Sequence, residues 1–317
     1  MAGLAFLFPG QGSQEAGMGK ALAESSAAAR AVFEEVDDAL NERLSSLIFG
    51  GPDEALTLTR NTQPALMAVS LAAILSLEAD HGIAVGDADF VAGHSLGEYS
   101  ALCAAGALRL DDAARLLRLR GEAMQAAVPA GEGAMAALLG ATPEAAEAAC
   151  AAGRAEGGVC DIANDNAPGQ IVISGHKGAV EAARAAARDA GVKKAVPLSV
   201  SAPFHRALMA AAADVMRDAL ADTTLLEPCV PVVTNVTAAP ETDPDALRQG
   251  LIAQVTGRVR WRESVLRLEQ DGVTETAEAG AGKVLTVMNR RTAKALSGVA
   301  LATPEDLTAF AESRTAR

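Results

Sequence analysis

The stretch Phe90-Val91-Ala92-Gly93-His94-Ser95-Leu96-Gly97 decides how this chain is read. Phe90-Val91-Ala92 is a short apolar run of strand character, and a helical stretch follows Gly97 until Gly106 can end it. Between them lies the pattern G-x-S-x-G. A strand-to-helix turn this tight leaves no room for bulk two positions either side of the serine, and glycine supplies that room. The Ser95 hydroxyl is then held out at a helix N-terminus, where unpaired N–H groups and the helix dipole favour negative charge. Outside this context the pattern describes a glycine-flanked loop serine. Between a strand and a helix it makes Ser95 a candidate nucleophile.

Outward from this turn, residues 4–8 (Leu-Ala-Phe-Leu-Phe) form a second buried strand, which ends at the loop Pro9-Gly10-Gln11-Gly12-Ser13. Helices are expected over 18–40, 64–77 and 111–127. The texture changes at Pro129-Ala130-Gly131. From there to residue 199 the pattern reads strand (134–139), helix (143–151), strand (159–164), strand (170–174), helix (179–190) and strand (195–199), the βαββαβ order of a ferredoxin-like unit. Beyond Ser201-Ala202-Pro203-Phe204-His205 come a long helix, a strand near 230–235, helices over 244–255 and 262–269, a strand over 273–278 and a helix from Lys283. Thr303-Pro304-Glu305 caps a last helix. Strands alternating with helices outside the insertion imply an α/β architecture with a mainly parallel sheet covered on both faces. The expected division is a large domain of residues 1–130 and 200–317 around an inserted subdomain, 131–199.

Composition narrows the classes. Of 317 residues, half are hydrophobic and 21% charged, which excludes a disordered chain, a collagen and a coiled-coil rod. Aromatics are only 3%, so the core is aliphatic. Lys and Arg number 27 against 40 Asp and Glu, a formal charge of −13 that argues against a broad nucleic-acid surface. Cys103, Cys150, Cys160 and Cys229 are scattered without a CxxC pair and read as reduced thiols in a cytoplasmic setting, not as a zinc site. The N-terminus has no basic n-region. The uncharged run 61–77 contains Gln63 and Pro64, falls short of the ~20 apolar residues of a membrane span, and reads as a buried helix. Gly280-Ala281-Gly282-Lys283 lacks the spacing of a nucleotide phosphate loop.

A nucleophilic serine needs a base, and the chain has four histidines. His94 adjoins Ser95, so its side chain is expected to point away across the turn. His81 lies in a surface turn and His176 in a loop of the insertion. His205 follows a strand and is expected to open a helix, the place where α/β sheets put their sites. Elimination leaves His205 as the base; a packed or capping histidine is the other reading. Arg120 falls on the apolar stripe of its helix with Leu116, Leu117, Met124 and Ala127, whereas Arg115 with Asp111 and Arg118 with Glu122 are expected to pair on the outer face. A buried guanidinium keeps its charge and needs an anion. That anion is either a substrate carboxylate, gripped through two parallel hydrogen bonds, or a distant structural Asp or Glu. The backbone N–H groups of Gln11 and Leu96 could serve an oxyanion.

Taken together, Phe8-Pro9-Gly10-Gln11-Gly12-Ser13-Gln14, Gly93-His94-Ser95-Leu96-Gly97-Glu98-Tyr99, Arg120-Gly121-Glu122-Ala123-Met124-Gln125, Asn166-Ala167-Pro168-Gly169-Gln170, Pro203-Phe204-His205 and Gly280-Ala281-Gly282-Lys283-Val284-Leu285 resemble the malonyl-CoA:acyl carrier protein transacylases of fatty acid synthesis. The stretches occur in the family's order and cover nearly the whole chain. One departure is Ala281, where the family often has Pro. The resemblance implies an α/β-hydrolase-like large domain with an inserted ferredoxin-like subdomain. It implies Ser95 as nucleophile, His205 as base, Gln11 and Leu96 as oxyanion donors, and Arg120 as the grip on the malonyl carboxylate. It also implies a main-chain carbonyl of Gln254 that orients His205, and substrate-facing positions at His94, Asn166, Met124 and Phe204, the last associated with malonyl choice.

The implied reaction is ping-pong: malonyl-CoA is the substrate, no cofactor is bound, a malonyl-serine forms, and the phosphopantetheine thiol of an acyl carrier protein takes the acyl group. A monomer that binds neither membrane nor nucleic acid is implied as well. Because carrier proteins are acidic like this chain, docking requires a local basic patch, for which Lys193-Lys194 and Arg290, Arg291 and Lys294 are candidates. Other readings are a serine hydrolase or thioesterase, with Asp161 or Asp165 in the acid slot by order, a polyketide-synthase or malonate-decarboxylase acyltransferase, and a non-catalytic scaffold for a carrier protein.

Overall fold

Five of the six residues of strand β1 (Gly3–Phe8) are buried, as a continuous apolar run requires of a strand covered on both faces. The computed structural model describes residues 3–129, 131–198 and 202–315. After β1 come helices α1 (Lys20–Ser25), α2 (Ala27–Leu40), α3 (Leu44–Gly50), α4 (Asp53–Leu56) and α5 (Thr59–His81), then β2 (Phe90–Gly93), α6 (Gly97–Ala104) and α7 (Leu110–Ala126). The middle of the chain forms β3 (Gly133–Leu139), α8 (Pro143–Ala155), β4 (Cys160–Ala167), β5 (Gln170–His176), α9 (Lys177–Ala186) and β6 (Lys194–Pro197). The rest forms α10 (Ala210–Ala221), β7 (Val232–Val233), β8 (Pro240–Glu241), α11 (Pro244–Thr256), α12 (Trp261–Gln270), β9 (Val273–Ala279), α13 (Val284–Thr292), β10 (Ser297–Leu301) and α14 (Pro304–Thr315).

The larger sheet has the order β10-β9-β1-β2-β7-β8, parallel except for β8. The smaller is antiparallel, β4-β5-β3-β6. The fold is therefore mixed α/β with a parallel-rich sheet. The aliphatic core under the smaller sheet, including Leu138, Ile162, Ile171, Ile173 and Val180, is separate from the main core around β1 and α5. α5 has the length and apolarity of a membrane span, but 83% of its most apolar 18-residue window is buried inside the protein, as in a core helix.

Several expectations are corrected. The helix expected over 18–40 is two helices, because Ser26 takes an extended backbone (φ −117°, ψ 131°) that ends α1 and starts α2. The strand expected near 230–235 is only Val232–Val233. Strand β10 was not expected; it is an edge strand whose middle is half-buried, so its apolar signal is weak. Ala130, Ser199, Val200 and Ser201 lie outside the described residues, and with them the expected subdomain boundaries and the end of the strand expected over 195–199.

The register sets the site. Phe8 is paired with Gly93, so the carboxyl ends of β1 and β2 lie side by side. The loop after β1, with Gln11, therefore sits against the turn that carries Ser95, at the end of a parallel sheet where α/β proteins build sites.

Candidate active site

Ser95 has φ 54°, a left-handed conformation that a serine adopts only when its surroundings enforce it. Gly93 and Gly97 make the turn fit. A Cβ at Gly93 would stand 1.9 Å from the Gly97 carbonyl, and one at Gly97 would stand 2.2 Å from the Phe8 carbonyl oxygen. The Asn235 side chain clamps the turn: Ser95 N–H donates to its Oδ1 at 2.7 Å, and its Nδ2 donates to the Gly93 carbonyl at 2.6 Å.

Ser95 Oγ lies 2.8 Å from His205 Nε2. His205 does not open a helix, as expected, but occupies a loop position with φ 59°, ahead of the turn of 3₁₀ helix Ala207–Met209. This strained placement turns the ring between two partners. Its Nδ1 is 2.9 Å from the main-chain oxygen of Gln254 on α11. A carbonyl only accepts, so Nδ1 carries the proton and Nε2 presents its lone pair to the serine hydroxyl. Burial, and next the Arg120 charge, hold the His205 pKa down to about 3, so the ring is neutral at pH 7.

Arg120 reaches this pair from α7. It is 1% exposed. Nη1 donates to Gln63 Oε1 at 2.7 Å, and Nη2 donates to Gln254 Oε1 at 2.8 Å and to Ser95 Oγ at 3.3 Å. The Tyr99 ring lies 5.7 Å from its Cζ. Among the described residues it makes no ion pair and its Nε has no partner. Among the described residues no carboxylate bonds to it directly: its acceptors are neutral amides and a hydroxyl, and the buried carboxyl that acts on its charge, Glu98, stands behind the Gln254 amide. The outer face of α7 also departs from expectation. Arg115 pairs with Asp111 at 2.8 Å, but Arg118 pairs with Glu42 at 2.7 Å, not with Glu122, which faces Arg60 at 3.4 Å.

A cleft of about 250 Å³ opens over Ser95, His205 and Arg120. Gln11, Leu96, Met124 and Phe204 line it, as do His94 and Asn166. Among the described residues, the main-chain N–H groups of Gln11 and Leu96 donate to no acceptor. His94 does turn away from Ser95, but into the cleft wall, where its Nε2 is 2.8 Å from Asn166 Oδ1 and burial keeps its pKa low. Asn166 belongs to β4, so this bond ties the smaller sheet to the serine turn. Gln254 is fully buried and contributes no cleft surface. Asp161 and Asp165 are held by Arg154 and Arg262 at 2.9 and 2.7 Å, and the His205 Nδ1 position that a triad acid would take is filled by the Gln254 carbonyl. His176 ends β5 and His81 ends α5, and neither lines the cleft. Among the described residues no three His, Cys, Asp or Glu side chains gather as metal ligands.

The sequence reading missed Asn235, Gln63 and the role of Glu98. Glu98 on α6 is fully buried, and its Oε2 accepts from Asn235 N–H at 3.0 Å and Gln254 Nε2 at 2.8 Å. Neutral amides arriving from segments far apart in the chain leave no local pattern. Only Glu98 gave a signal, as the one charged residue of an otherwise uncharged helix directly after the elbow.

Residues 5–305 match the family model described as an acyl transferase domain. A malonyl CoA-acyl carrier protein transacylase of Bacillus subtilis (strain 168) is 47% identical over 307 residues, covering 97% of this chain and 96% of that one. The crystal structure of an acyl-carrier-protein-S-malonyltransferase from Bartonella henselae has a TM-score of 0.95 at 54% identity, covering 98% and 99% of the two chains. A malonyl-transacylase solved in complex with its type II PKS acyl-carrier protein has a TM-score of 0.95 at 41% identity, over 98% and 100%. With a serine turn, its histidine and a buried cation in one cleft, and with this likeness running the length of the chain, the protein belongs to the acyl transferase domain family.

Proposed function

We propose that this chain transfers the malonyl group of malonyl-CoA to the phosphopantetheine thiol of an acyl carrier protein through an ester on Ser95. The observation that carries the reading is Arg120. A guanidinium that is 1% exposed, lacks a carboxylate partner among the described residues, and sits 3.3 Å from the candidate nucleophile is suited to the free carboxylate of a two-headed acid whose thioester end meets Ser95.

The steps follow from the contacts. The malonyl carboxylate settles on Arg120 and offsets the charge that disfavours an imidazolium at His205, so substrate binding itself strengthens the base. His205 Nε2 takes the Ser95 proton as Oγ attacks the thioester carbon. The tetrahedral oxyanion takes hydrogen bonds from the Gln11 and Leu96 N–H groups. The C–S bond breaks, the imidazolium returns its proton to the CoA sulfur, and malonyl-Ser95 remains. The carrier thiol then repeats the sequence in reverse, giving its proton to His205 and restoring the serine. Gln254 holds the histidine tautomer through its carbonyl, an uncharged counterpart of a triad acid. His94 and Asn166 shape one cleft wall, and Met124 and Phe204 limit acyl bulk. This chemistry asks for no redox or Lewis-acid group.

We also propose the finer architecture: an α/β-hydrolase-like unit of residues 1–130 and 200–317 with a ferredoxin-like unit, 131–199. Support comes from the separate core beneath the smaller sheet and its strand–helix–strand–strand–helix–strand order. For the acidic carrier protein, α13 offers a docking face. Val284 lines the cleft, Val287 is 42% exposed, and Arg290, Arg291 and Lys294 continue the same surface; Lys193 and Lys194 are exposed at the smaller sheet. Four free thiols suit a reducing, cytoplasmic setting, and the reading takes the protein as a monomer.

Intact-mass spectrometry after mixing with malonyl-CoA tests the reading. The expected result is one malonyl adduct that discharges to a carrier-protein thiol but not to water and is absent in Ser95→Ala. Rapid loss to water would make the protein a thioesterase, and no adduct at all would make it a scaffold.

A further inference from the structure

Gln254 makes four polar contacts at the centre of the site, and their chemistry fixes which way its amide faces. Its carbonyl backbone holds His205. Its side-chain Nε2 donates to the Ser95 carbonyl at 2.9 Å and to Glu98 Oε2 at 2.8 Å, which leaves Oε1 for Arg120 Nη2 at 2.8 Å. The oxygen and nitrogen of an amide have nearly the same shape, so partners alone decide its orientation. A main-chain carbonyl and a carboxylate both only accept, so together they force the NH₂ toward themselves and the oxygen toward the arginine. The same Glu98 oxygen also accepts from Asn235, whose side chain clamps the Ser95 turn.

We propose that Glu98 is a positioning and specificity-determining residue: through the Gln254 amide it holds Arg120 in place, and by its own charge it sets how strongly the site prefers an acyl group that carries a carboxylate. The inference rests on the malonyl-transfer reading. Glu98 and Arg120 are separated by one amide. With Glu98 ionised, the pair is neutral overall and an arriving carboxylate meets a second negative charge. With Glu98 protonated, the same carboxylate meets an uncompensated cation. Carboxylate binding and Glu98 protonation therefore favour each other, by thermodynamic reciprocity.

The buried surroundings make both states accessible. Glu98 Oε1 has no hydrogen-bond partner among the described residues, and burial pushes the carboxyl up to about 7. The titratable or charged groups that act on it are Arg120 from α7 and Tyr99 beside it on α6; His205 connects to it only through Gln254. β1 and β7 carry no charged residue, and those of α5 (Arg60, Glu78, Asp80, His81) lie at its two ends, exposed or half-exposed.

The test compares Ser95 acylation of the full-length protein by malonyl-CoA and by acetyl-CoA between about pH 6 and pH 9, using the ratio of the two kcat/KM values. His205 serves both substrates, so its titration cancels in the ratio. In the wild type the malonyl preference is expected to fall roughly ten- to fiftyfold as pH rises through about 7, the scale for unit charges roughly 7–12 Å apart at an effective dielectric of about 20. Glu98→Gln keeps an acceptor for Asn235 and Gln254 but no charge, and its preference should stay high and flat. Glu98→Ala frees the amide as well and should lower the preference at every pH; if that variant does not fold, the wild-type and Glu98→Gln profiles decide. A flat wild-type ratio, or a Glu98→Gln profile that overlays the wild type, overturns the proposal while malonyl transfer stands. A wild-type protein that forms no malonyl ester removes both.

Discussion

Arg118 and Arg120 stand two residues apart on α7, on two sides of one helix, and both are largely buried. Arg118 is 8% exposed and reaches outward to Glu42 and the Asn61 side chain, with the carboxylate at 2.7 Å. Arg120 is 1% exposed and reaches inward to Gln63, Gln254 and the Ser95 hydroxyl. The first has its anion within the fold. The second has its geometry fixed by neutral dipoles and its charge left unmatched by any direct contact. A buried cation lacking a direct ion pair is costly, so folds keep one where something else supplies the anion. The difference in partners, more than the difference in burial, separates an arginine that staples the protein from one proposed to serve a ligand.

Removing Arg120 is the largest test of that contrast. In Arg120→Ala, the malonyl carboxylate would enter a buried site with no cation, a loss on the order of 2–5 kcal/mol in kcat/KM for malonyl-CoA. Acylation by acetyl-CoA should hold or improve, since a neutral acyl group gains room and loses no partner. Rapid-quench acylation with both thioesters measures it. An unchanged malonyl preference would put the two arginines in the same class.

Gln63→Leu sharpens the comparison from the dipole side. It leaves Arg120 its charge but removes the acceptor of Nη1, a bond to a charged donor worth about 1.5–3 kcal/mol. Part of that is recovered when the freed N–H meets the substrate carboxylate. We expect malonyl-CoA KM to rise about tenfold with little change in kcat for acetyl-CoA. Equal losses for both thioesters would mean that Gln63 supports the cleft wall, where its Nε2 also faces Met124 Sδ at 3.9 Å, and not the cation.

What could be read from the sequence follows from how local each constraint is. The Ser95 turn was legible because its glycines, strand and helix are contiguous. Arg120 was legible because a charge on an apolar stripe contradicts its surroundings. His205 emerged by elimination, yet its left-handed backbone did not, since nothing in Pro203-Phe204-His205 forces it and the elements packed around it do. Gln254 and Asn166 came through family resemblance alone. Asn235, Gln63 and Arg118's partner Glu42 were silent, because each acts on a residue at least 57 positions away. Strand β10 was silent too: a half-buried edge strand carries half the apolar pattern of a central one.

The smallest expected effect belongs to Arg118. Its partner Glu42 keeps 45% of its side-chain surface in solvent, so water and salt already weaken the pair. Arg118→Ala should cost about 1 kcal/mol of folding stability, from the ion pair and from the packing of the aliphatic stem against α7's neighbours. Urea denaturation would show it as a lower midpoint with an unchanged slope. The malonyl-to-acetyl ratio should not move, because no bond connects Arg118 to Gln254, Gln63 or Ser95. A shifted ratio in a variant that unfolds as cooperatively as the wild type would mean that α7 transmits strain between its two sides, and that the inward arginine depends on its outward neighbour for its position.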